Sequence, residues 1–102
     1  MNSVQINAKD LIDPAGSVVG SATRIGNEAA RHLRTGAPVV ISLHGVRGVS
    51  SSFFNVIFSL VAEVLRNDFN DQQFRVDTET ATQRLVYMQS RDAFLRSRPS
   101  DA

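Results

Sequence analysis

Three short segments of the chain alternate apolar and polar side chains with the two-residue period of a half-buried strand. In the first, Val4, Ile6 and Ala8 point one way and Gln5, Asn7 and Lys9 the other. In the second, Val39, Ile41 and Leu43 oppose Val40, Ser42 and His44, and in the third Phe74, Val76 and Thr78 oppose Arg75 and Asp77. A strand covered on both faces reads as an unbroken apolar run, and these segments do not. Helix patterns separate them. The first spans about Ser21 to Arg34, with Ala22, Ile25, Ala29 and Leu33 as its stripe. Gly26 sits beside that stripe, which implies close packing of this helix, with the sheet as the expected neighbour. Thr35-Gly36 and Pro38 supply its stop. The second helix begins within Ser50-Ser51-Ser52 and ends near Asn67; any of the three serines is a suitable cap. The third spans about Thr80 to Ser97, capped by Thr78 or Thr80, with Leu85, Met88 and Leu95 as its expected core side and a possible break at Ser90 to Asp92. The order is β-α-β-α-β-α. Right-handed crossovers put successive helices on one face. The predicted fold is a two-layer α/β domain, a small mostly parallel sheet with three helices mainly on one face. Within residues 10–20, Asp13-Pro14-Ala15-Gly16 is a turn signal, and Val18-Val19 reads as a short strand or a helix entry.

The second helix stands out. From Phe53 to Leu65 only Asn55, Ser59 and Glu63 are polar. Spaced by four, they form one narrow ridge on an otherwise apolar cylinder. Such a helix is either wedged between neighbours or keeps one flank free for a partner or a second copy.

Composition narrows the function classes. A chain of 102 residues makes one domain, expected over 1–97 with a disordered tail at 98–102. The net charge is +1, from 11 basic and 10 acidic residues, which is no field for nucleic acid. The absence of cysteine excludes disulfides, thiol catalysis and cysteine-based zinc sites. The N-terminal residues lack the pattern of a signal peptide. No apolar run approaches the roughly 20 residues of a membrane span. The expectation is a cytoplasmic protein that contacts neither membrane nor nucleic acid and carries no cofactor.

The candidate chemistry lies in Gly45-Val46-Arg47-Gly48-Val49-Ser50-Ser51-Ser52, which joins the second strand to the apolar helix. The carboxyl end of a parallel strand is where α/β proteins place their sites. A helix start offers free N–H groups and partial positive charge. A phosphate-binding Walker loop is excluded, because the second Gly follows after two residues and no Lys comes next. The run Val40 to Ile57, VISLHGVRGVSSSFFNVI, resembles the signature turn of STAS domains, shared by sulphate transporters and anti-sigma factor antagonists. Gly45-Val46 and Val49 match that pattern. Ser51 falls where antagonists carry the serine phosphorylated by a cognate kinase, and Ser52 takes the following Ser. Ser50 stands in place of the family's Asp and Phe53 in place of its Gly. The Ser-Ser-Phe form is closer to a divergent STAS-like group of unknown function, and Arg24-Ile25-Gly26 partly fits that group's Arg-x-x-Gly motif, one residue short. The resemblance covers roughly Arg24 to Leu65. It implies a regulatory protein-binding module whose partner, such as a histidine-kinase-like ATPase, is released when Ser51 is phosphorylated. The expected contact residues are Gly48, Ser50, Ser51, Ser52, Phe54, Asn55 and Phe58. The alternative is a self-associating subunit that uses the apolar flank of the same helix.

Other residues carry less. Neither His32 nor His44 has a companion at metal-ligand spacing. A triad of Ser50 or Ser51 with His44 and Asp77 can be written, but no nucleophile elbow surrounds the serines, and a capping Ser points at backbone N–H groups. The protein is therefore expected not to be an enzyme. Arg91, Arg96 and Arg98 read as a solvated basic end.

Overall fold

The computed structural model describes residues 3–13, 16, 18–66 and 69–97. Strands β1 (Val4–Asn7), β2 (Val39–Ser42) and β3 (Phe74–Asp77) lie side by side in that order. Both pairings are parallel. Val4 sits beside Val39, which sits beside Phe74; Ile6, Ile41 and Val76 form the next apolar row. The helices are α1 (Ala8–Leu11), α2 (Ala22–Arg34), α3 (Ser51–Leu65) and α4 (Ala81–Ser97). This is an α/β domain with a small parallel sheet, as the alternating patterns require.

One sheet face carries the core. Ile6, Val39, Ile41, Phe74 and Val76 are all buried there in one cluster with the apolar residues of α2 and α3. On the other face Gln5, Asn7, Arg75 and Asp77 are exposed. The first strand is two residues shorter than its alternation, because Ala8 and Lys9 already belong to α1, with Ala8 staying fully buried.

The stretch before α2 resolves toward the helix-entry reading. Gly16 N–H donates to the Asp13 carbonyl at 2.9 Å, which closes the expected turn. Val18 packs against the core, and a 3-10 turn at Val19–Ser21 feeds α2. The Ser21 hydroxyl accepts from Asp13 N–H at 3.4 Å, so it holds the turn and does not cap the helix. Helix α2 ends in a Schellman motif: Gly36 N–H donates to the Leu33 carbonyl at 3.0 Å and Ala37 N–H to the His32 carbonyl at 3.3 Å.

Helix α3 is wedged. It packs on α2 along one flank and on α4 along the other. Phe53, Phe54, Ile57, Phe58 and Val61 are buried, while Asn55, Ser59 and Glu63 form the exposed ridge that their spacing predicts. Phe58 is fully buried, and its ring lies 5.6–6.4 Å from those of Phe54, Phe69, Phe74, Tyr87 and Phe94. Both flanks of α3 are packed against neighbours within the chain, with Val56, Leu60, Ala62, Val64 and Leu65 left half-buried.

Two expectations are corrected. Gly26 makes its close approach to α3 and not to the sheet. A Cβ there would lie 2.7 Å from Leu60 Cδ1 and 3.3 Å from Ile57 Cα. The core side of α4 is also different. Leu85 and Met88 are 57% and 53% exposed, and the helix turns Val86, Tyr87, Phe94 and Leu95 to the core with Gln83 and Ser90 buried among them. The helix passes through Ser90–Asp92 without a break. The reason is its start. Thr80 Oγ1 accepts from Gln83 N–H at 3.1 Å, and Gln83 Oε1 accepts from Glu79 N–H at 2.7 Å and Thr80 N–H at 3.4 Å. This reciprocal capping box fixes the rotation of α4 with Gln83 inward. The expected tail, 98–102, lies outside the described residues.

The α2–α3 contact gives a direct test. Gly26→Val forces atoms into the Ile57 backbone and should lower unfolding free energy by about 1–3 kcal/mol. Urea denaturation checks it, and an unchanged midpoint would contradict the close approach.

Candidate functional site

The site is built from the end of β2 outward. Leu43 is fully buried and its N–H still donates to Asp77 of β3, at 2.9 Å. The chain then reverses. Val46 N–H closes on the Leu43 carbonyl at 3.1 Å, and the Val46 side chain is buried as a plug. The turn needs glycine twice, since Gly45 has φ +79° and Gly48 φ +77°, values that L side chains rarely adopt.

The start of α4 holds this turn. Gln83 Nε2 donates to the Leu43 carbonyl at 3.2 Å and to the Val46 carbonyl at 2.8 Å. Glu79 Oε1 accepts from Gly45 N–H at 3.0 Å. One buried amide thus caps α4 with its oxygen and pins the β2–α3 connection with its nitrogen. Sequence reasoning passed over Gln83; the Thr80-x-x-Gln83 capping box was the signal that could have found it.

Of the three serines, Ser50 is the cap. It is extended, with φ −140° and ψ 170°, and its hydroxyl accepts from Phe53 N–H at 3.3 Å. Ser50 therefore does at this position what Asp does equally well, since both are strong caps. Ser51 and Ser52 occupy the first turn and are exposed, as are Gly48 and Asn55. Phe54 and Phe58 are corrected as contact residues. Both are fully buried in the aromatic cluster, so no partner reaches them without unfolding the domain.

Beside the turn runs a groove of about 410 Å³ between α3 and α4, lined by Ser50, Ser51 and Asn55 on one side and by Val86, Gln89, Ser90 and Ala93 on the other. Ser90 is 4% exposed, and its hydroxyl has no hydrogen-bond partner among the described residues.

The written triad does not assemble. His44 is exposed and its Nδ1 lies 3.6 Å from Glu79 Oε2, while the Ser50 hydroxyl faces the Phe53 N–H. His32 pairs with Glu28, Nε2 to Oε1 at 3.1 Å. The Arg31 guanidinium, hydrogen-bonded to Glu28, holds that carboxyl below its usual range. Burial pushes the Tyr87 phenol up. Among the described residues no helix is long and apolar enough to cross a membrane.

A family model described as a STAS-like domain of unknown function (DUF4325) matches residues 21–78. The match runs from the residue before α2 to just past β3 and contains the whole turn and α3. No curated protein and no solved structure matches the chain. The chain belongs to this STAS-like family.

The capping assignment is testable by denaturation. Ser50→Ala should lower stability by about 1 kcal/mol, while Ser51→Ala and Ser52→Ala should each stay within about 0.5 kcal/mol of the wild type. A loss at Ser51 as large as that at Ser50 would contradict it.

Proposed function

We propose that this STAS-like domain is a non-catalytic regulatory module that binds a partner protein through the Gly48–Asn55 turn, with modification of Ser51 controlling the contact. The observation that carries the reading is the division of labour among the serines. Ser50 alone caps α3, so the exposed Ser51 hydroxyl has no task in holding the fold. Gly48, Ser51, Ser52 and Asn55 form one exposed surface on a turn that α4 fixes from behind. Rigid presentation of a short polar surface suits recognition, because little order is lost when a partner docks.

A phosphate on Ser51 adds nearly two negative charges. It would sit in the first turn of α3, where the helix's partial positive charge favours an anion. The domain tolerates the modification, and the changed charge falls on the partner. The partner this reading implies is a kinase of the histidine-kinase-like ATPase type, which would both bind the turn and modify it.

The test uses the purified domain and a cognate kinase. Mass spectrometry should find one phosphate on the wild type and none on Ser51→Ala, and Ser51→Asp should weaken partner binding at least about tenfold, or 1.4 kcal/mol. Equal modification of Ser51→Ala, or unchanged binding by Ser51→Asp, would remove Ser51 from the role.

A further inference from the structure

We infer that the crevice between β3 and α4 is a binding site for a free amino acid with a large apolar side chain, its carboxylate held by Arg75 and its ammonium by Asp92. The site shares no residue with the Gly48–Asn55 turn and does not rest on that turn's role.

The crevice holds about 290 Å³, at the low end of small-ligand pockets. One wall is β3, from which Arg75 and Val76 line it. The Gln73 and Asp77 carbonyls accept from Val39 and Leu43 N–H on the β2 side, at 2.9 Å each, so by the alternation of a parallel strand the Val76 peptide groups face the outer edge. The other wall is α4, where Tyr87 and Arg91 form one i,i+4 row and Met88 and Asp92 the next.

Charge selects the ligand. Arg91 is already engaged by Asp71, Nη2 to Oδ1 at 3.1 Å. Arg75 and Asp92 are exposed and belong to no ion pair among the described residues. The crevice therefore offers an open cation on the strand wall and an open anion on the helix wall. Its four charges cancel. A simple anion is opposed by Asp71 and Asp92, and a simple cation by Arg75 and Arg91; a ligand that carries both signs gains at both walls. The Arg75 guanidinium is close enough to matter. Burial raises the Tyr87 phenol, and the charges of Arg91, Asp71 and Arg75 act on it as well. The Val76 carbonyl gives the ammonium a further acceptor.

The apolar part of the ligand follows from Met88. It is 53% exposed, one of two large apolar side chains left so among the described residues. Its thioether and the half-buried Tyr87 ring offer a surface on which an aromatic or branched side chain packs. A zwitterion with such a side chain fills the crevice, satisfies both open charges and covers the methionine.

The probes are L-phenylalanine and L-leucine, titrated into the ¹⁵N-labelled domain at constant ionic strength. 3-Phenylpropionate and phenethylamine serve as counterparts that keep one charge each. The amino acids should shift the Arg75, Val76, Met88 and Asp92 amide resonances saturably, and each counterpart should bind at least about threefold more weakly than L-phenylalanine. Arg75→Gln should bring L-phenylalanine down to the level of phenethylamine, and Asp92→Asn to that of 3-phenylpropionate. Both side chains are exposed, so the thermal midpoints should hold. The absence of a saturable shift with both amino acids, a singly charged counterpart that binds as tightly as L-phenylalanine, or unchanged affinity in either variant would overturn the site.

Discussion

Helix α3 is so apolar that it must be covered on nearly every side, and the rest of the domain is arranged around that need. Helix α2 covers one flank through the close approach at Gly26, α4 covers the other, and the sheet receives Phe58 against Phe74 at 6.4 Å. All seven aromatic residues of the chain join in one connected cluster centred on Phe58. Removing a buried Phe of this kind costs about 3–5 kcal/mol, a large part of the 5–15 kcal/mol that holds a typical domain together. What the burial leaves exposed is small: the polar ridge and the N-terminal turn.

The turn is controlled from α4. Gln83 serves two elements at once, with its oxygen on the Glu79 and Thr80 N–H groups just before α4 and its nitrogen on the carbonyls of Leu43 and Val46. A buried amide that satisfies four partners ties the position of α4 to the shape of the β2–α3 connection. The groove between α3 and α4 is a consequence of that tie, because the same rotation of α4 that buries Gln83 also places Val86 and Ser90 opposite Ser51.

The strands, α2 and the narrow polar ridge of α3 were legible in the sequence because each is written in hydrophobic periodicity; whether α3 is wedged or keeps a free flank was not. Legible too was the placement of the candidate turn between β2 and α3, because the Gly-Val and serine positions follow a strand pattern and precede a helix pattern. The face of α4 was not legible. Its apolar residues Leu85 and Met88 point to solvent, and its inward positions include Gln83 and Ser90, so hydrophobicity misreports its orientation. Hydrogen bonding decided there, and a capping box records it where an apolar count does not. The choice of cap among three adjacent serines was likewise set by backbone geometry, with Ser50 extended and Ser51 already helical. Phe54 and Phe58 lay within the site in sequence, and their burial shows that proximity along a helix is not proximity to its surface.

Helix α4 holds the β2–α3 turn through Gln83. Amide hydrogen exchange of Gln83→Leu against the wild type tests it most directly, because exchange reads local opening as well as global unfolding. Leu fills similar space, removes the side-chain donor of the Val46 carbonyl and leaves the Leu43 carbonyl only its bond from Val46 N–H, a loss of about 1–3 kcal/mol. The amides of Gly45, Val46 and Phe53 should lose more protection than those of β1 and α2. A uniform loss across the domain, with the turn no worse than the sheet, would contradict it.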